Sequence, residues 1–287
     1  MTSPLRWQIK KAARMGVALG SFVSGQVPPK NSMLRRVQVR ALTYHRFGTE
    51  ARDPFCIEPD AFEKQMRYLA QTGLAVSLAD LQRFVSGNGA LPPGAVVVTV
   101  DDGFRSLYTK ALPILRHYGI PAVAFVTAGL IESSDGARMQ SKPEPYLSWD
   151  DLERLTNAGV AIGSHAWTHR SLGPMSVAEA EEEAVLSRRT LESNLGVPVS
   201  AFAYPFGTRA DFNARTADVL MRTGYHCAFT SQHGAIYPGM DPFVLPRVKV
   251  ESGEQLWLFQ MMLRGGLDAW ALIDRTLWRV QASDRGR

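Results

Sequence analysis

The chain has 287 residues, 45% of them apolar and 21% charged, with a formal net charge of +5. That length buries a substantial core, and that balance excludes a disordered chain. Two cysteines, Cys56 and Cys227, exclude a disulfide framework, and no run reaches the roughly 18–20 apolar residues that a membrane span requires.

The charge is unevenly placed. Arg6, Lys10, Lys11, Arg14, Lys30, Arg35, Arg36 and Arg40 fall in residues 1–40, which hold no Asp or Glu. A basic arm on a slightly acidic body suits an anionic surface, or is a solvated leader. No helix-turn-helix signal or Arg/aromatic platform accompanies it, so nucleic acid is not an expected partner. Leu5, Ile9 and Ala13 give the arm an apolar side, which predicts a basic helix in peripheral contact with the inner leaflet. That favours a cytoplasmic or inner-membrane-face location. The competing expectation is export by a weak signal peptide, with Met15 to Gly25 as its apolar run and Val23-Ser24-Gly25 as its cleavage site. Residues 1–36 thus read as a leader, 37–250 as the folded body and 251–287 as an amphipathic helical extension.

Val37 to Tyr44 alternates and ends at His45, as a first strand does. Asp60 is the expected cap of a helix with Glu63 in the capping-box position, Phe62, Met66 and Leu69 on its apolar face, and Gly73 as its stop. Ala75–Leu78 reads as a short strand and Ala79–Val85 as a helix. Ala95 to Val100 is a run of small and β-branched residues, the pattern of a strand buried on both faces. Leu107–Tyr118 is helical, bent or restarted at Pro113. Strand Ala122–Thr127, a polar Pro-rich loop Ser133–Pro145 and a helix opening at Ser148 follow. Then come strand Val160–Gly163, helix Val177–Asn194, strand Ala201–Tyr204, helix Ala214–Thr223, and strands Ala228–Thr230 and Phe243–Val250. Leu256–Val280 reads as an amphipathic helix on the outside. Strands alternating with helices predict an α/β fold with a central parallel sheet. Polar residues recurring just after strands suit a (β/α) barrel with its site at the C-terminal strand ends.

Asp101 and Asp102 stand side by side where the Ala95–Val100 strand ends. Two adjacent carboxylates repel and resist desolvation. A metal, or a division into one ligand and one base, relieves both problems; alternatively Asp101-Asp102-Gly103 is simply a turn. In His165-Ala-Trp-Thr-His169 two imidazoles lie four apart, a spacing that lets both meet one metal. Two His and one carboxylate leave coordination positions open for water and substrate. The remaining carboxylate can take a proton from activated water, which makes a hydrolytic site. Phe202-Ala-Tyr-Pro-Phe-Gly207 ends a strand in a tight turn that exposes backbone N–H groups, as an oxyanion site needs.

Asp-Asp-Gly, then His-x-x-x-His, then Phe-Ala-Tyr-Pro-Phe-Gly is an order that resembles the polysaccharide deacetylase family, carbohydrate esterase family 4 with its nodulation-protein-B homology domain. The similarity runs over about residues 37–250, and takes in Leu42-Thr-Tyr-His45, Gly119-Ile-Pro-Ala-Val-Ala-Phe-Val126 and Leu147-Ser-Trp-Asp-Asp-Leu152. The resemblance implies a distorted (β/α) barrel and a divalent metal, most often zinc. It also implies removal of N-acetyl groups from an amino-sugar polysaccharide, oligosaccharide or glycan precursor. Carried over by motif, Asp101 resembles the catalytic base, Asp102, His165 and His169 the metal ligands, and Phe206 the backbone donor to the oxyanion.

Departures mark a subfamily. Val100 stands where the family usually has Phe, and Ala166 where it has Ser or Thr. Ala203 replaces an Arg whose usual Asp-Trp partner has no counterpart around Cys227–Thr230, which leaves open what orients Asp101. Leu245-Pro-Arg247 occupies the place of the Leu-x-His motif that supplies the general acid. A branch resembling the exopolysaccharide poly-N-acetylglucosamine deacetylases takes this His from the first strand, and His45 fits that role, or caps the strand end. Arg247 is expected to hold a substrate carboxylate or to pair with Asp241. Tyr204 and Trp167 are candidate sugar contacts. His117, His226 and His233 match no motif. Two rivals share the site: an O-acetyl esterase, and a sugar-binding barrel without turnover.

Overall fold

The computed structural model describes residues 4–24, 37–50, 53–131 and 144–276. Most of the predicted loop Ser133–Pro145, the last residues of the predicted C-terminal helix and Gly25 of the cleavage site lie outside the described residues.

Seven strands close a parallel barrel: β1 (Val39–Tyr44), β4 (Ala95–Val100), β5 (Ala122–Val126), β6 (Ala161–Ser164), β7 (Ala201–Ala203), β8 (Cys227–His233) and β9 (Leu245–Lys249). The last strand returns to the first, with Leu42 opposite Val248, so β1 lies between β4 and β9. A small pair, β2 (Arg46–Phe47) with β3 (Cys56–Ile57), sits beside it. The barrel follows from the period of two along each strand. Val39, Ala41, Val97, Val123, Phe125, Phe229 and Leu245 belong to an inner cluster, while Leu42, Tyr44, Val96, Val98 and Val100 join the layer under the helices. That layer is α2 (Pro59–Thr72), α3 (Leu78–Val85), α4 (Leu112–Tyr118), α5 (Trp149–Asn157), α6 (Val177–Leu195) and α7 (Ala214–Arg222). Three more helices, α1 (Pro4–Val23), α8 (Leu256–Leu263) and α9 (Trp270–Thr276), lie towards the chain ends, with α1 against α8.

Local chemistry explains where element boundaries differ from expectation. Ser77 caps α3 in a full capping box with Asp80, which draws Leu78 into the helix and leaves the predicted strand as one bridge, Ala75 to Val96. Glu58 rather than Asp60 is the cap of α2, because Pro59 is pre-set for the first helical turn. Pro113 has no N–H to give, and a π-turn over Leu107–Ala111 precedes α4. Phe243 and Val244 turn back on Asp241 instead of extending, so β9 starts at Leu245. The predicted single helix from Leu256 is two, broken at Gly265 with φ +91°.

The barrel interior is filled by Phe125 and Phe229, whose rings lie 5.3 Å apart. Gly163 on β6 makes room for them: a Cβ there stands 2.4 Å from Phe125 Cε1 and 3.1 Å from the Ala201 carbonyl. Gly163→Ala should therefore cost about 1–3 kcal/mol by overpacking, read as a lower urea midpoint with an unchanged slope.

Candidate active site

Among the described residues, four non-glycine residues have left-handed backbone: Asp102 (φ 72°), Ala166 (φ 64°), His169 (φ 61°) and Phe206 (φ 63°). All four lie in the three loops that follow β4, β6 and β7. Such conformations cost of order 1–3 kcal/mol each and persist where the surroundings hold them. Here they re-aim successive side chains.

Asp101 continues the alternation of β4 into the barrel and is buried, with its N–H bonded to the Tyr44 carbonyl at 2.9 Å. Arg247 meets it as a two-pronged partner, Nη1 to Oδ1 and Nη2 to Oδ2 both at 2.7 Å. The guanidinium is fixed in turn by Nε to the Thr230 carbonyl at 2.8 Å and by Thr99 Oγ1 at 3.3 Å. Arg247 is 1% exposed. It neither pairs with Asp241 nor opens to a substrate carboxylate, because the inward side of β9 points it across β1 to the end of β4. It is the group that orients Asp101. Burial pushes the Asp101 carboxyl up, but the charges of Arg247 and His165 overcome this and hold it below its ordinary value.

The backbone reverses at Asp102, which sends its carboxylate to the histidines instead. Its Oδ1 lies 3.4 Å from His165 Nε2 and 3.2 Å from His169 Nε2, and the two rings are 4.9 Å apart. One donor atom from each of Asp102, His165 and His169 falls within 4.8 Å of the others. His165 Nδ1 is 2.7 Å from the Ala203 carbonyl. That oxygen only accepts, so Nδ1 carries the hydrogen and Nε2 turns a lone pair towards Asp102. Three lone-pair atoms converging on one point fit a cation, and the Nδ1 bond to the Ala203 carbonyl orients His165 as a metal-binding His is oriented. Burial raises Asp102, yet hydrogen bonding to the two imidazoles holds it well below the ordinary range, and Asp102 in turn raises His165 against the lowering by burial, so a proton and a cation compete for this point.

The histidine loop is fixed from α6. Glu183 accepts from the N–H groups of Trp167 and Thr168, both at 2.8 Å, and from the Thr168 hydroxyl at 2.5 Å. Ser164 Oγ holds the Ala166 N–H at 3.2 Å. After β7, the Gly207 N–H bonds the Pro205 carbonyl at 2.7 Å, a three-residue turn centred on Phe206. Ser231 Oγ donates to the Phe206 carbonyl at 2.6 Å. A Cβ on Gly207 would lie 2.5 Å from Ser231 N, so only glycine fits this close approach.

His45 is half-buried beside Phe55, 4.7 Å between rings. Burial lowers its pKa, and the nearby Asp102 and Asp101 pull the other way without cancelling it. The Phe206 ring lies 5.0 Å from His169. Asp101, Asp102, His165, His169, His45 and Phe206 thus share one end of the barrel. Tyr204 does not join them. It falls on the helix side of β7, wholly buried and stacked on Phe212 at 5.1 Å, with no surface to offer a sugar. Trp167 is half-buried, with its ring against Gly129. A cavity of about 500 Å³ lies at the opposite end between α3 and the start of β8, away from these groups.

Glu183 and Ser231 carry no motif signal. Glu183 does share the buried stripe of α6 with Ala180, Ala184, Ser187 and Leu191, and a carboxylate on such a stripe implies a partner beneath it.

Residues 88–228 match the sequence model of a family described as Polysaccharide deacetylase. The chain is 24% identical to YxkH of Bacillus subtilis (strain 168), over 67% of this chain and 64% of that protein. It is 25% identical to the poly-beta-1,6-N-acetyl-D-glucosamine N-deacetylase of Escherichia coli (strain K12), over 78% of this chain and 38% of that protein. Among solved structures, IcaB from Ammonifex degensii superposes with a TM-score of 0.69 at 25% identity, covering 83% of this chain and 98% of that one. The Streptococcus pyogenes deacetylase PplD in complex with acetate gives 0.70 at 23% identity, covering 79% and 98%.

Two outcomes follow from this geometry. Arg247→Met strands a buried carboxylate and should cost about 3–5 kcal/mol of stability at neutral pH. Wild-type Asp101 is more acidic folded than unfolded, so its contribution is lost as pH falls through the folded value. In the variant, burial raises the folded pKa above the unfolded one, so stability is regained on acidification. Urea unfolding should show the gap beginning to narrow above about pH 4, where the variant regains stability, and narrowing further below it, where wild type loses stability. Separately, Glu183→Gln should weaken metal binding about 10–100-fold, measured by chelator competition.

Proposed function

We propose, on the match of residues 88–228 to the polysaccharide deacetylase family model, that the chain hydrolyses N-acetyl groups from an amino-sugar polysaccharide of the poly-β-1,6-N-acetylglucosamine class. The observation that carries this reading is the division of labour within one dipeptide. Asp102 faces two histidines as a cation ligand, while Asp101 is held apart by Arg247 as a base.

A divalent cation, which we take to be zinc, supplies a Lewis acid that polarises the acetamide carbonyl and makes water more acidic. Asp102, His165 and His169 would hold it. Asp101 accepts the proton of the attacking water; Arg247 fixes both of its oxygens, which sets its direction and keeps it ionised. The Phe206 N–H, presented by the turn that Gly207 and Ser231 hold, donates to the oxygen that gains charge. His45, beside both aspartates, delivers a proton to the departing amine, as in the branch of the family that draws its acid from the first strand. The half-buried Trp167 edge is left as the sugar contact. Acetylated glycan is the partner this chemistry requires. The acid-free basic segment 1–40 supports peripheral contact with an anionic membrane at its cytoplasmic face.

Metal content and acetate release from β-1,6-linked N-acetylglucosamine oligomers test the site together. Wild type should hold near one metal per chain and release acetate. Asp101→Asn should keep the metal and lose about 10²–10⁴-fold in kcat, whereas Asp102→Ala, His165→Ala and His169→Ala should lose the metal itself. His45→Gln should slow the acetamide far more than an acetate ester, whose alkoxide leaves without a strong proton donor. Wild type that takes up no metal on zinc or cobalt addition overturns the assignment.

A further inference from the structure

Helix α1 is inside out. Its inward stripe is Arg14, Ala18 and Ser21, spaced i, i+4, i+7 and all buried. Arg14 is clamped by Nε to Glu254 at 2.6 Å and Nη2 to the Lys249 carbonyl at 2.9 Å, with its guanidinium 5.5 Å from the Trp270 ring centre. Lys10 reaches Glu251 at 2.6 Å. Every other residue from Ala12 to Val23 is Ala, Gly, Val, Leu, Met or Phe, and all of them except Val17 and Ala18 are exposed. Ile9, Leu19, Phe22 and Val23 are each more than half exposed, and Met15 extends the same face.

A helix held on a water-soluble body by apolar packing turns Leu and Phe inward and Arg outward. Here the body takes the charge and the outside takes the apolar residues. Ion pairs at Arg14 and Lys10 fix the rotation of the helix, so the apolar face cannot roll inward without stranding Glu254 and Glu251. The outer face is therefore a standing surface of the folded chain.

We propose that this face inserts into the headgroup–acyl boundary of an anionic bilayer, with α1 lying in the membrane plane. No helix among the described residues is long and apolar enough to cross. The choice of occupant rests on charge. Pairing two copies of the chain through α1 would bring together two acid-free segments in which Arg6, Lys30, Arg35 and Arg36 add to the ion-paired Lys10 and Arg14, and like charges oppose that. A bilayer takes both components, acyl chains against Leu19 and Phe22 and lipid phosphates against the cations of the same acid-free segment. The inference rests on the membrane placement proposed above and is independent of the deacetylase reading.

The test is sedimentation of the full chain with phosphatidylglycerol-containing and pure phosphatidylcholine vesicles, in low and high salt. Charge-only contact disappears in high salt, whereas apolar insertion survives it. Wild type should stay bound to the anionic vesicles in high salt. The double variant Leu19→Glu/Phe22→Glu, altered at exposed positions, should partition at least about tenfold less there. It should still bind in low salt and unfold at the wild-type urea midpoint. A variant that matches wild type in high salt overturns insertion and leaves surface contact standing. No binding by wild type in either salt overturns both. A wild-type dimer in light scattering that the variant makes monomeric assigns the face to protein, and also overturns the proposal.

Discussion

A carboxylate in the middle of a barrel has to meet a positive charge or give up its own. Asp101 meets Arg247 through two 2.7 Å bonds, and much of the molecule can be read as the means of bringing those groups together. They come from β4 and β9, strands that touch β1 on either side but not each other. Closing the barrel and setting the base are one event. Thr99 and the Thr230 carbonyl complete the guanidinium's bonding, and Phe125 and Phe229 lie within about 6 Å of it. Water is thus excluded from the side of the carboxylate that faces the core.

The second constraint is the sharing of one strand end by two like charges. Asp101 keeps the extended alternation and points in. Asp102, at φ 72°, breaks it and points to the histidines. Strain at Ala166, His169 and Phe206 does the same for the other two loops. Glu183, Ser164 and Ser231 bear it by bonding the loop backbones from behind.

Strand and helix alternation made the barrel legible, because inner and outer residues follow the period of two so closely. The Asp-His-His set was legible from spacing and order. Other features depended on distance or competition. Arg247 is 146 residues from Asp101, and nothing local to either names the other. Tyr204 was misread by its place in a motif, although alternation from Ala201 puts it with Phe202 on the helix side. Ser77 and Pro59 moved helix starts because caps and fixed φ values outweigh an apolar pattern at the ends of elements. The apolar side of α1 was visible in the sequence. That it faces outward was not, since this depends on Glu251 and Glu254 far down the chain.

The place of Arg247 on the final strand has a consequence for biogenesis. The chain emerges amino end first, and a domain folds as a unit once its last strand is available. Asp102, His165 and His169 are all synthesised well before residue 247, so a nascent chain holds the candidate cation ligands while Asp101 still lacks its counter-charge. The span 88–228 that matches the family model contains Asp101 and the candidate cation ligands but neither His45 nor Arg247. On the proposed mechanism the acid and the counter-charge of the base therefore come from the two margins of the fold, outside the stretch that carries the Asp-His-His set.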